Sequence, residues 1–237
     1  MNITRRTGSL APARHIPGYP SSPADSNGDS NRAPRTQRRD MIDLPLLVGL
    51  AAVGFTALYF ISDLIEVAQG GFSTFRLSLT YAGEAAIPLF VIGLYAAQRP
   101  RIGRLGLVGA VAYAYAYVFF TSTVVYALIA HAPNYKAVVK VFGAWMTIHG
   151  LIMLVGGLAF GLAIARAGVL PRWTGVCLMA GVVLVVAASG LSDIARTIAA
   201  ALPAAAFFGM GFALLSGRLT PRVRQPRTAR AHQNHAP

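Results

Sequence analysis

Cysteine occurs once in this 237-residue chain, at Cys177 inside an apolar run. A single thiol excludes an intrachain disulfide, a Cys-based zinc site and a CxxC redox pair. Acidic side chains are scarce too: eight Asp and Glu stand against 21 Lys and Arg, and charged residues make up only 12% of the chain. A soluble domain of this length would cover its core with far more charge than that. The P-loop, GxGxxG, HExxH and GxSxG patterns are missing, so the strong nucleotide and hydrolase signatures are absent and no cofactor is expected. Heptads and residue-level repeats are missing as well.

What is there is apolar. Hydrophobic residues reach 55% and the mean hydropathy is +0.54, which makes lipid the expected solvent. The net charge of +13 would suggest nucleic acid in a soluble protein, but its placement excludes that reading. Most basic residues lie in the two tails and in short loops beside apolar segments, where positive charge orients a membrane protein and meets anionic headgroups. Membrane lipid is therefore the expected partner, and nucleic acid is not. Residues 1–43 mix Pro, Ser, Asn, Asp and Arg without an apolar stretch of signal-peptide length, so a disordered basic tail without a cleavable signal is expected. A start codon assigned too early would produce the same pattern. The C-terminal residues 218–237 read as a second disordered basic tail.

The apolar segments predict an all-α, polytopic bundle of six transmembrane helices across residues 44–217. The spans run from about Leu44 to Ala68, Leu79 to Gln98, Leu105 to Ala130, Val141 to Ala165, Trp173 to Ser189 and Ile198 to Leu215. Most are long enough for a hydrocarbon core of about 30 Å at about 1.5 Å per residue. Counting Lys and Arg on alternate sides puts seventeen in the tails and the second and fourth loops, against Arg76, Lys136, Lys140 and Arg196 opposite, accounting for all 21. That split places both termini in the cytoplasm and the chain in the cell membrane as a multi-pass protein. Gly156, Gly157 and Gly161 give span four a small-residue face, and Gly209 and Gly211 interrupt span six, all of them expected at helix contacts.

The position of the acids is the informative feature. Asp25, Asp29, Asp40 and Asp43 fall in the first tail or at its junction with span one, whereas Asp63, Glu66, Glu84 and Asp193 fall toward the outer ends of their helices. Asp63 and Glu84 are each expected about 7 Å below the boundary, too short to snorkel freely. Thr56, Tyr59, Asp63 and Glu66 form a polar stripe on span one, and Tyr81, Glu84 and Pro88 on span two. Pro88 leaves the Glu84 carbonyl without its helical partner, and a bend is expected there. Trp145 and His149 share a face of span four. These residues predict an outward-opening pocket lined by Asp63, Glu66, Glu84, His149 and Asp193, with Tyr59, Tyr81 and Trp145 as aromatic walls. The alternative is helix pairing, with Glu66 or Asp193 bridged to Arg76 or Arg196 and His149 hydrogen-bonded to Glu84. Tyr113 and Tyr117 are expected as packed core. No tight ligand spacing supports a metal.

Three classes of function fit such a pocket. It could bind or transport a small lipid-like or amphiphilic molecule, with carboxylates exchanging protons; a homodimer would then supply the paired halves that six helices lack. It could be a membrane enzyme in which a neutral carboxyl acts as a general acid beside aromatic rings. Or its polar groups could specify packing alone. In the fourth loop, the stretch ARAGVLPRWTG at residues 165–175 resembles the interhelical turn of uncharacterised small six-helix bacterial integral membrane proteins. Physically it is an inside loop, with two arginines at headgroup depth, a helix-starting proline and an interfacial tryptophan. The resemblance implies the six-helix architecture and no particular activity. In broad layout, acids on different helices without an aspartate-rich diphosphate motif also resemble the small polytopic membrane terpene cyclases. That likeness implies acid-initiated isoprenoid cyclisation, with Asp63, Glu84 and Asp193 as the catalytic acids.

Overall fold

The computed structural model describes residues 44–217, except for the Asp193 side chain; the tails at 1–43 and 218–237, with the four acids of the first, lie outside the described residues. All elements among the described residues are helices: α1 (Leu44–Gln69), α2 (Thr74–Ala97), α3 (Gly103–Ile129), α4 (Tyr135–Phe142), α5 (Ala144–Ala167), α6 (Arg172–Ala188) and α7 (Asp193–Leu215). Five of them, α1, α2, α3, α5 and α7, are long and apolar enough to cross a membrane, whereas α6 is a 17-residue apolar helix. Large apolar side chains such as Leu89 at 77% and Val155 at 64% exposure point outward. Lipid is the solvent that such a surface fits.

Three elements depart from their expected bounds, each because of a cap. Ser73 accepts a hydrogen bond from the Arg76 amide at 3.3 Å, so α2 starts five residues earlier than its apolar run. Asn134 accepts from the Ala137 amide at 3.1 Å and starts α4, which stops at Gly143 with φ of 50°. Only Val141 and Phe142 of the expected fourth span belong to this short amphipathic helix, on which Lys136 and Lys140 are exposed, and nearly all the rest of the span is α5. Ser192 accepts from the Ala195 amide at 3.4 Å, and α7 takes in the polar residues Asp193 and Arg196 that precede the sixth apolar run. Side-chain oxygens at these positions satisfy amide groups that the first helical turn leaves unpaired.

Six helices form a closed ring in the order α1, α2, α3, α5, α6, α7 and back to α1, with α4 set outside it. Pairings at the glycines show that neighbours run antiparallel. A methyl group added at Gly109 or Gly156 would lie 2.5 Å from the Phe160 amide nitrogen or 2.7 Å from that of Tyr113, so α3 and α5 touch backbone to backbone. Gly161 faces the Gly175 carbonyl across the α5 and α6 contact, and Gly211 faces the Gly49 carbonyl where α7 meets α1. Close backbone approach through small residues is the usual way helices associate in lipid, where apolar side chains gain nothing by leaving it.

The two halves of the ring differ inside. In the half holding Arg99, Arg101, Arg166 and Arg172, the centre is filled. Phe207 of α7 meets Phe90 of α2 at 5.3 Å and Tyr113 of α3 at 5.8 Å between ring centroids, with Leu94, Leu178 and Met210 fully buried around them. The other half is hollow.

Candidate functional site

The hollow half encloses a cavity of about 530 Å³ with contributions from all six ring helices and α4. This volume lies within the range of roughly 300–1,000 Å³ usual for small-molecule sites. Its floor is the aromatic plug, since Tyr117 and Pro203 line the cavity one turn from Tyr113 and Phe207. Tyr135, Val138 and Val139 of α4 cover its charged end, while Lys136 and Lys140 of that helix face outward.

A four-member ion cluster occupies this charged end. Arg76 Nη2 bonds Glu66 Oε2 and lies 3.5 Å from Asp63 Oδ1, and Arg196 Nη2 donates to Glu66 Oε1 at 3.2 Å. Glu66 thus accepts from two arginines on different helices, which offsets the cost of burying all three charges. Each guanidinium also covers a ring, Arg76 over Phe72 at 4.5 Å and Arg196 over Tyr135 at 4.4 Å. Burial holds the Tyr135 phenol above its usual range, opposed by Arg196. Beneath the cluster, Thr80 donates to Ser62 Oγ at 2.9 Å, which donates to the Tyr59 carbonyl at 2.7 Å, tying α2 to α1.

Glu84 stands apart from this network. It lies ten residues after the start of α2, or about 15 Å along the axis, deeper than its sequence suggests because α2 begins earlier. It is 7% exposed, lines the cavity, and its Oε2 is buried with no hydrogen-bond partner among the described residues. Buried polar atoms without partners are rare and costly. Around the same cavity lie Tyr59, Tyr117 and Phe120.

Of the residues that the sequence singles out, the structure brings Tyr59, Asp63, Glu66 and Glu84 to the cavity. Tyr81 does not line it and is 45% exposed on the outer face of α2, because the inward positions are Arg76, Thr80 and Glu84, and one residue past Thr80 lies about 100° around the helix. Trp145 is 60% exposed at the start of α5. His149 is buried, yet outside the cavity. Its Nδ1 donates to the Trp145 carbonyl at 2.9 Å and its ring stacks on Phe119 at 3.8 Å, so it does not bond Glu84. Asp193 is the first residue of α7, and its side chain lies outside the described residues. Arg76 and Arg196, which the sequence offers only as pairing partners, are central to the site, and Thr80, Tyr117 and Tyr135 line it without a signal in the sequence that marks them. Helix α2 continues through Pro88 without interruption. No group of three or more His, Cys, Asp or Glu suited to a metal occurs among the described residues.

The cavity also has a side opening. Thr147 and Leu151 of α5 and Ser189 and Gly190, which follow the end of α6, line it and are themselves exposed. The close contacts of α5 with α6 at Gly157, Gly161 and Gly175 lie toward the other end. Gly150 sits in this gap, and a side chain added to it would meet no atom within 4 Å.

No protein-family model, no curated protein and no solved structure matches this chain.

Proposed function

We propose that this chain is a six-span protein of the cell membrane, with both termini cytoplasmic, that takes a small amphiphilic molecule from the bilayer into its cavity. Helix α6 serves as the remaining span, since 17 residues rise about 25 Å and need little thinning of the hydrocarbon layer. The seventeen-to-four division of basic residues supports this orientation, with the cavity in the outer half.

The observation that carries this reading is the opening between α5 and α6, at the level where Leu151 is 52% exposed. An apolar tail would pass through it and remain partly in lipid while a polar end reaches the carboxylates. Transport across the membrane finds less support, because Phe90, Tyr113 and Phe207 fill the inner half of the ring. Acid-initiated isoprenoid cyclisation uses the same cavity. Within it Glu84 is the better proton donor, since Asp63 is already held by Arg76.

Organic extraction of the purified protein, followed by mass spectrometry, tests the reading. Wild type should retain an amphiphile that folded Gly150→Leu loses about tenfold, a loss worth one decade in binding constant. Identical extracts would overturn it. Incubation with isoprenoid substrates separates catalysis from binding: a cyclised product made by wild type and lost in Glu84→Gln identifies an enzyme.

A further inference from the structure

The acidic and basic side chains that line the cavity do not pair off. Among the described residues it holds three carboxylates, Asp63, Glu66 and Glu84, and two guanidinium groups, Arg76 and Arg196. Both arginines are engaged by Glu66, and Arg76 also faces Asp63. Arg76 Nε is the other cavity atom buried without a partner, but its guanidinium charge is already met. Glu84 is the surplus acid, two turns deeper along α2 than Arg76, with Oε2 unpaired.

Its surroundings are those of a cation site. A carboxyl in a dry interior stays neutral unless a positive partner allows it to ionise. Tyr59, Tyr117 and Phe120 bring aromatic rings to the same space, and ring faces attract ammonium groups. Toward the side opening the lining turns apolar, with Met153, Val185, Val186 and Leu151. Glu84 lies in the interior of the ring, and apolar side chains lead from it sideways toward lipid.

Building on the proposed function, we infer that the cavity takes an amphiphilic amine, whose ammonium group binds Glu84 while its alkyl chain leaves between α5 and α6. A primary ammonium can donate to Oε2 and still lie against a tyrosine ring. An anionic headgroup would meet an unneutralised carboxylate in the same place and is disfavoured.

Native mass spectrometry of the detergent-solubilised full chain with decylamine, decan-1-ol and decanoate tests this. Decylamine should bind one-to-one and at least about tenfold more tightly than the other two. Glu84→Gln should remove that preference and Glu84→Asp should keep part of it, while Gly150→Leu should block all three probes. Each variant is first checked for native helix content and a single size-exclusion peak. The comparison of probes on wild type needs no variant, so a misfolded one does not decide the result. Equal binding of decan-1-ol and decylamine, blocked by Gly150→Leu, would overturn the amine inference and leave the amphiphile cavity standing. No binding of any probe, together with an empty organic extract, would overturn both.

Discussion

Arg196 of α7 donates from Nη2 to Oε1 of Glu66 in α1 at 3.2 Å, joining residues 130 positions apart in the chain. With the Arg76 bond to the other oxygen of Glu66, this fixes the relative positions of α1, α2 and α7 above the cavity. Removing the shared acceptor should therefore cost much more than removing the Glu84 carboxylate, whose Oε2 has no hydrogen-bond partner among the described residues. Glu66→Gln is expected to destabilise the protein by about 3 kcal/mol, the usual cost of breaking a buried pair. Glu84→Gln should leave the unliganded protein unchanged or more stable. Unfolding of the two variants in matched detergent checks the order; equal losses would mean that Glu84 has a structural partner.

Two glycines of neighbouring helices should respond in opposite ways to the same methyl group. At Gly109 the methyl would press on the Phe160 backbone at 2.5 Å, and backbone cannot rotate aside. Gly109→Ala is expected to cost about 1–3 kcal/mol through overpacking. At Gly150 the space is open, and Gly150→Ala should be neutral or stabilising by up to about 1 kcal/mol through helix propensity. Thermal unfolding of both separates a packing glycine from one that borders the cavity.

The orientation is open to direct labelling. In a Cys177→Ser background, Lys136→Cys on the exposed face of α4 should react with a membrane-impermeant maleimide in intact cells. Arg101→Cys should react only after permeabilisation. The reverse pattern would place the cavity in the inner half of the membrane.

Phe207 and Phe208 test the plug. The first is 4% exposed between Phe90 and Tyr113, and the second is 46% exposed. Phe207→Ala should lose about 3–5 kcal/mol. Phe208→Ala should change stability by about 0.5 kcal/mol or less. Similar effects at both positions would argue against a packed floor.

How far this was legible beforehand follows from which forces act along the chain and which act across it. The apolar runs fixed the long helices to within a few residues, because lipid demands continuous hydrogen-bonded backbone through each crossing. Single side-chain caps at Ser73, Asn134 and Ser192 decided the remaining boundaries, and an averaged apolar run does not register them. Asp63, Glu66 and Glu84 could be singled out because charge inside a span is costly wherever it occurs. Tyr81, Trp145 and His149 could not be placed in the same way. An aromatic ring is at home against lipid, protein or cavity, so only the rotation of its helix decides its surroundings, and the neighbouring helices set that rotation. The side opening was invisible because it depends on how α5 packs against α6.

The seam between α1 and α7 has a consequence for how the protein is made. A ring sealed by its last helix stays an open horseshoe during synthesis, and Glu66 is translated 130 residues before Arg196. At roughly 5–20 residues per second that interval lasts about 7 to 26 seconds. Throughout it, the α1 edge that α7 later covers has no helix against it. Until α7 arrives, Glu66 lacks the Arg196 bond and the cavity lacks the wall that Arg196, Thr197, Ala200 and Pro203 supply.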